Sequence, residues 1–517
     1  MKRSLFVIVF VFAQLLGLRQ LAQAAASPCN SPNGSLFNLE PRPNAVVQVA
    51  RSIAVLPNPA GNNNLVVAVG ADARGLVPPP SPIISEDAFY VERTGSDCTP
   101  DFEGGLPSIL TPENQLFIPI IGTPSVIADP ARDQFYIVDL DFTQAPDENG
   151  LGIYRTTSAT LNSTSACPSG TEFGTAPCFT TVAVTNITGL DAFLDNPSIV
   201  VDPRTTGVGA GDLYTVVTQR NSDNTSFHIS LTACTNGLNC GNSIAISAKA
   251  DAQADFAWVQ VRPDGGITIS YRNTTFPGVN KEEIKFVTCA PAGAPNPPTC
   301  SSPVLVTTVK TLVFDTMIGD LPMRDQLYPR HVNRLESDGK TVTTFMVYDQ
   351  CDVAVLQQNG SGQPFCPKTD VVVTTSTNDG ATWSPVALVS SSPGQQFFGA
   401  IANDTSTGTV NIAYYSTESD IFQLRPQVFL TQIPSGTTKA GTPQQLTSAA
   451  ADVQASPPIS LEGQPAFFGD RIGIAVIGTG IVGQSTAYVS FTWTSVAGTY
   501  NGISSADVNN HLTTFQY

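Results

Sequence analysis

The sequence predicts an all-β fold: a seven-bladed β-propeller of four-stranded antiparallel blades, with six blades as the alternative count. Three observations predict it. Helical periodicity is almost absent after residue 26, and short β-branched runs are punctuated by Gly, Pro, Asn and Asp instead. A strand–turn–strand unit recurs roughly every seventy residues. The last unit is one strand short, while a spare strand-like segment precedes the first.

The elements follow in chain order. Lys2 and Arg3 precede an apolar stretch from Leu5 to Leu18, and Ala22-Gln23-Ala24-Ala25-Ala26 follows. Basic, apolar, then A-x-A is the order of a secretory signal peptide, so residues 1–26 read as a leader. Residues 27–517 read as a single secreted domain. A membrane anchor needs about 18 apolar residues, and Gln14 and Arg19 interrupt this run.

PSVIADP at 124–130 and PSIVVDP at 197–203 nearly match, and each leads through a turn into a second strand. Related segments start at 51, 257, 330, 398 and 470. A third strand, such as FHISLTA or DVVVTTS, follows each pair, and often a fourth, such as VLVTTV. Four antiparallel strands per unit suit a propeller blade, whose radial repetition leaves only short edges. The segment AVVQVA at 45–50 is expected to supply the outer strand missing from the last blade and so close the ring. Two separate β-sandwiches would not predict a spare strand at one end and a missing one at the other.

Ten cysteines in an exported chain read as disulfides rather than metal ligands. The expected pairs are Cys167/Cys178, Cys234/Cys240, Cys289/Cys300, Cys351/Cys366 and Cys29/Cys98. A formal charge of -17 argues against nucleic acid and anionic membrane as partners. An extracellular carbohydrate or surface protein is the expected partner, met by a monomer that does not insert into membranes. Three widely spread histidines, His228, His331 and His511, do not make a zinc site. Asp139, Asp141, Asp147 and Glu148 gather oxygen ligands of the kind Ca²⁺ takes, in a spacing that fits no recognised loop. A solvated acidic turn is the simpler reading, and no other cofactor is expected.

Between the third and fourth strands of the fifth unit stands Ser376-Thr377-Asn378-Asp379-Gly380-Ala381-Thr382-Trp383. It resembles the Asp-box (BNR) repeat S-x-D-x-G-x-T-W of sialidases and other propellers. Ser376, Gly380, Thr382 and Trp383 match the pattern, and Asn378 replaces the usual aspartate. Its role there is structural: a compact polar turn with Trp packed on the blade.

Aligning the units places Arg51, Pro124, Pro197, Ala257, Arg330, Phe398 and Asp470 in one column at the channel mouth. The next column is Ser52, Ser125, Ser198, Trp258, His331, Gly399 and Arg471. Arg51, Arg330 and Arg471 therefore cluster with Asp470, His331 and Trp258. The resemblance to sialidases implies three arginines on a substrate carboxylate, a task the guanidinium fork suits. It also implies a tyrosine nucleophile and an aspartate acid/base, for which Tyr328 and Asp470 are the candidates. The expected function is recognition of an extracellular glycan or acidic sugar, with glycosidase activity of sialidase-like type if the protein is an enzyme. A non-catalytic adhesion or interaction scaffold is the alternative.

Overall fold

A computed structural model describes residues 48–57, 64–72, 86–92, 102–112, 114–119, 123–143, 149–163, 167, 178–185, 187, 192–221, 226–251, 253–274, 282–309, 314–318, 321–325, 327–351, 357–358, 364–448, 450–451, 471–481, 484–500 and 503–517. The regular secondary structure of these residues is almost entirely strand, with one short helix at Ser158–Leu161.

The strands form successive antiparallel sheets, each ordered as the chain runs. The first holds Gln48–Pro57, Asn64–Asp72, Glu86–Glu92 and Phe102–Gly105. The second centres on Gln134–Thr143, which pairs with Asn149–Thr157 on one side and with Ser125–Asp129 and Leu116–Pro119 on the other. A nine-stranded sheet comes next. One parallel contact, Phe227 with Gln253, joins its halves, which are treated below as the third and fourth sheets. The third begins with Ala192–Val201 and the fourth with Gln253–Val261. The fifth runs Arg330–Leu335, Val342–Cys351, Thr369–Ser376, Ala387–Leu388, and the sixth begins with Gln396–Asp404. The last has three strands, Gly473–Ile477, Thr486–Tyr500 and Ile503–Gln516.

The reading of 45–50 as a separate closing strand differs from the structure over Gln48–Ala50. These residues pair with Asp72, Ala71 and Gly70 and so extend the first strand of the first sheet. Arg51 is a bulge between Ala50 and Ser52, which lets one strand continue through a change of register.

The first strand of each sheet lies beside the first strand of the next, and Gly473–Ile477 lies beside Gln48–Pro57. Apolar layers fill the gaps between sheets. Ala54 and Val67 meet Val126 and Phe135, while Tyr136 and Val138 meet Ile199 and Val217. At the junction of chain ends, Ile53 and Val66 pack with Tyr488 and Leu512. Because both faces are covered, strands such as Leu65–Val69 and Phe135–Val138 are buried at every position. Their sequences are therefore continuous apolar runs rather than strict alternations.

Four disulfides join Cys167 to Cys178, Cys234 to Cys240, Cys289 to Cys300 and Cys351 to Cys366, the pairs expected from spacing. Cys29 and Cys98 lie outside the described residues. No helix among the described residues is long and apolar enough to cross a membrane.

The Ser376–Trp383 turn links the third and fourth strands of the fifth sheet. Ser376 Oγ accepts from Gly380 N, and Asn378 Oδ1 accepts from Thr382 N, both at 3.0 Å. Asn378 Nδ2 donates to Thr382 Oγ1, and the Trp383 indole donates to Gly380 O. Gly380 adopts φ 82°, and a Cβ there would sit 2.3 Å from the Phe286 ring. Only glycine meets both demands. Trp383 then packs edge-on to Phe286 of the neighbouring sheet.

Candidate functional site

A cavity of about 330 Å³ is lined by the first strands of the sheets, among them Ser52, Ser125, Ile199, Trp258, Arg330, Ile401 and Gly473. Each first strand pairs on one side only, with its own hairpin partner or, in the fourth sheet, with the single added Phe227 contact. The strands start at the mouth end, where Arg330 opens its strand.

Besides the Ala50/Ser52 bulge of the first sheet, three further strands break register near the mouth: between Asp195 and Ser198, Asp255 and Trp258, and Phe397 and Ala400. Each of these three breaks carries a residue at positive φ: Asn196 at 51°, Phe256 at 54° and Phe398 at 56°. Such φ values are uncommon for residues with a Cβ, and bulges re-aim side chains. A carboxylate secures each one. Asp195 Oδ1 accepts from Asn196 N at 2.8 Å and Asp255 Oδ1 from Phe256 N at 2.7 Å. Asp349 accepts from Phe398 N and Gly399 N at 2.7 and 3.1 Å.

Through its bulge, Asn196 meets two other sheets. Its Oδ1 accepts from Arg471 Nη2 at 2.7 Å and from the Tyr328 hydroxyl. Arg471 Nη2 also lies 2.6 Å from that hydroxyl, with its guanidinium 4.1 Å from the Tyr328 ring centroid. Arg330 lies over the same ring at 5.9 Å and over Trp258 at 5.3 Å, and its Nη1 donates to Ile472 O. Both arginines are buried, and neither has a carboxylate partner among the described residues. The Nε of each is buried without a hydrogen-bond partner among the described residues. Burial, and next the charge of Arg471, push the Arg330 guanidinium down to about 9.

Beside this pair stands an ionic cluster. Arg220 pairs with Asp195 and, at 3.3 Å, with Asp255. Arg272 lies 3.8 Å from Asp255 and 3.4 Å from Glu282. Thr218 Oγ1 donates to Asp255 at 2.7 Å. Burial and the neighbouring Asp255 push the Asp195 carboxyl up, opposed by Arg220 and Arg471.

The structure thus brings Arg330, Arg471, Tyr328 and Trp258 together. The Trp258 indole donates to His331 O at 3.1 Å, which fixes the ring under Arg330. His331 is placed apart from them, fully buried between the fourth and fifth sheets. Its Nδ1 is 2.8 Å from Ser270 Oγ and its Nε2 2.9 Å from Thr268 Oγ1, and burial lowers its pKa to about 3. Both ring nitrogens are occupied, so it offers a ligand nothing. The backbone of Arg51 lies in the first strand, while its side chain and Asp470 fall outside the described residues. Asp139 accepts from its neighbour Leu140 N, and Asp141 accepts from the Tyr154 hydroxyl. Asp147 and Glu148 lie outside the described residues, and the described residues hold no cluster suited to a metal.

Sequence alignment missed Asp195, Asn196, Asp255 and Arg220. The signal was one step further out: Asp195, Asp255 and Tyr328 each stand two residues before a unit start. The bulges also shift the sixth unit, where Phe398 corresponds to Asn196 rather than to Pro197.

No protein-family profile matches the chain, and no curated relative does either. Similar solved structures include glycan-acting enzymes. A PL25 ulvan lyase aligns with a TM-score of 0.47 at 10% identity, covering 91% of this chain and 94% of that one. The polysaccharide lyase Uly1 gives 0.46 at 11%, covering 92% and 91%. A protein of unknown function from Dyadobacter fermentans gives 0.42 at 9%, covering 80% and 98%. Likenesses at these scores assign neither a family nor an activity.

Proposed function

We propose that residues 27–517 form a secreted seven-bladed propeller of sialidase-like type that recognises an acidic glycan at the channel mouth. The sugar carboxylate is held between Arg330 and Arg471. The observation that carries this reading is the pair of buried guanidinium groups sharing the Tyr328 ring, with no carboxylate between them among the described residues. A buried cation left without a counter-charge costs several kcal/mol, and two side by side repel each other as well. An incoming carboxylate relieves both costs and offers acceptors to donors that have none. Arg330 and Trp258 line the cavity, which lies within the size range of small-molecule sites, whereas Arg471 and Tyr328 stand beside Arg330 outside its lining. In this reading Trp258 and Tyr328 orient the arginines, Asn196 holds Arg471, and Asp470, next to Arg471 in sequence, is the acid of a glycosidase reaction with Tyr328 as its nucleophile. The Ser376–Trp383 turn is read as an Asp box with a structural role.

A panel of acidic and neutral oligosaccharides, arrayed against the wild-type chain and Arg330→Ala, tests the proposal. Acidic sugars bind the wild type and lose at least tenfold in affinity with the variant. Sugar release that disappears in Tyr328→Phe would extend the reading to catalysis. The scaffold reading draws on Ile421 and Phe422, which are 88% and 71% exposed on a turn of the sixth sheet. An array without hits favours it.

A further inference from the structure

We infer that binding of a carboxylated sugar at the mouth is coupled to uptake of a proton by Asp195. The inference rests on the proposed anion site at Arg330 and Arg471. Asp195 adjoins that site through the bulge it secures, since the next residue, Asn196, accepts from Arg471 Nη2 at 2.7 Å. Two carboxylates here share one arginine: Arg220 Nη2 reaches both Asp195 Oδ2 and Asp255 Oδ2. Their surroundings differ. Asp255 is almost fully buried and is also served by Thr218 Oγ1, Phe256 N and Arg272. Asp195 has Arg220 and Asn196 N, and its side chain is 23% exposed, so it can exchange a proton with solvent.

The charged groups acting on Asp195 come from three sheets. Arg220 stands on the adjoining strand, Asp255 on the fourth sheet, and Arg471 on the last. The two arginines and the Asn196 amide favour its ionised form, while burial and Asp255 oppose it. A ligand carboxylate that pairs with Arg471 spends that arginine's field and places a second negative charge near Asp195. The balance then moves toward the protonated acid. In the bound state Asp195 gains a proton from solvent and keeps it as a neutral carboxylic acid, while Asp255 keeps Arg220. When sites are coupled in this way, like charges at short range titrate as a pair with their values pushed apart.

The experiment is calorimetric titration of the full chain with a galacturonic acid oligosaccharide, repeated in two buffers of different ionisation enthalpy across the mildly acidic range. Wild type takes up a fraction of a proton approaching one, and its affinity rises by up to about tenfold per pH unit of acidification. Asp195→Asn keeps the shape and the acceptor to Asn196 N, so it binds without buffer-dependent heat and with a flat pH profile. Asp195→Ser is the second variant should the first not fold, with the same expectation. Binding by wild type with no proton uptake overturns the coupling and leaves the anion site standing. Uptake that persists in the Asp195 variants assigns the proton elsewhere and also overturns it. If the oligosaccharide does not bind, or binds Arg471→Met equally well, the anion site fails and the coupling fails with it.

Discussion

The arginines at the two ends of the channel live in opposite electrostatic surroundings. At the end away from the mouth, the inner hairpins of the second to fifth sheets each send an arginine to the next sheet. Arg132 pairs with Asp129 and donates to Arg204 O at 2.8 Å. Arg204 pairs with Asp202 and donates to Asp264 O at 2.7 Å. Arg262 pairs with Asp264 and with Asp379 of the fifth sheet. Arg334 pairs with Glu336 and donates to Gly408 O, Pro434 O and Thr437 O of the sixth. Each of these has a carboxylate and most add backbone carbonyls, so their charge is spent on joining sheets. At the mouth, Arg330 and Arg471 rest on aromatic rings and lack a carboxylate among the described residues. The same residue type is a fastener at one end and an open cation at the other.

The largest test of that contrast is Arg334→Met. Only 2% of its side chain is exposed, and its removal takes the donor from Glu336, Gly408 O and Thr437 O, while Pro434 O keeps Thr437. Breaking such a buried pair typically costs about 3 kcal/mol or more, read as a lower denaturation midpoint at unchanged slope. Arg330→Met should behave differently. It keeps the packing volume and removes an uncompensated buried cation, so stability changes by less than about 1 kcal/mol. Acidic-sugar affinity falls by about 2 kcal/mol. Equal loss of stability in the two variants would erase the distinction between the ends.

A smaller effect separates pH acting on the fold from pH acting on the mouth. His331 sits between sheets, and its folded pKa of about 3 lies below the unfolded value of 6.5. The unfolded chain therefore takes the proton first. His331's contribution is complete above 6.5 and is lost as pH falls toward about 3, by about 1.4 kcal/mol per unit. Asp195 has the opposite slope, because its folded value is raised and the native state takes the proton first. His331→Gln should flatten the acid limb of a stability–pH curve, and Asp195→Asn, which removes the opposing slope, should steepen it.

The sheets were legible in sequence because second strands such as Asn64–Asp72 and Gln134–Thr143 are buried on both faces, which writes continuous apolar runs such as LVVAV and FYIV into the chain. The four disulfides were legible because each closes a short segment between or beside strands. The mouth was less so. Arg330, Arg471, Trp258 and Tyr328 could be found by counting from unit starts. Asp195 carried the same signal as Tyr328, two residues before a unit start, but Asn196 did not, since a bulge inserts a residue and turns its side chain toward another sheet. His331 was misplaced for the same physical reason in reverse: in a regular strand, adjacent residues face opposite sides. Arg330 therefore reaches the channel while His331 is driven between sheets.

The smallest effect tests whether charge itself does the fastening at the far end. Asp379 carries an ion pair to Arg262, yet its side chain is 62% exposed. Exposed pairs contribute about 0–1 kcal/mol, so Asp379→Asn should lower stability by no more than about 0.5 kcal/mol. Asparagine also suits the backbone, because Asp379 sits at φ 59° and short polar side chains tolerate that region. Asp379→Val keeps neither advantage. A β-branched residue at that φ is strained, and it should cost clearly more than the asparagine variant. Matching losses for Asn and Val would mean that the ion pair, rather than the turn geometry, holds the fifth sheet to the fourth. A near-silent Asn variant would place the fastening in the turn, the Trp383–Phe286 contact and the carbonyl bonds made by the other arginines.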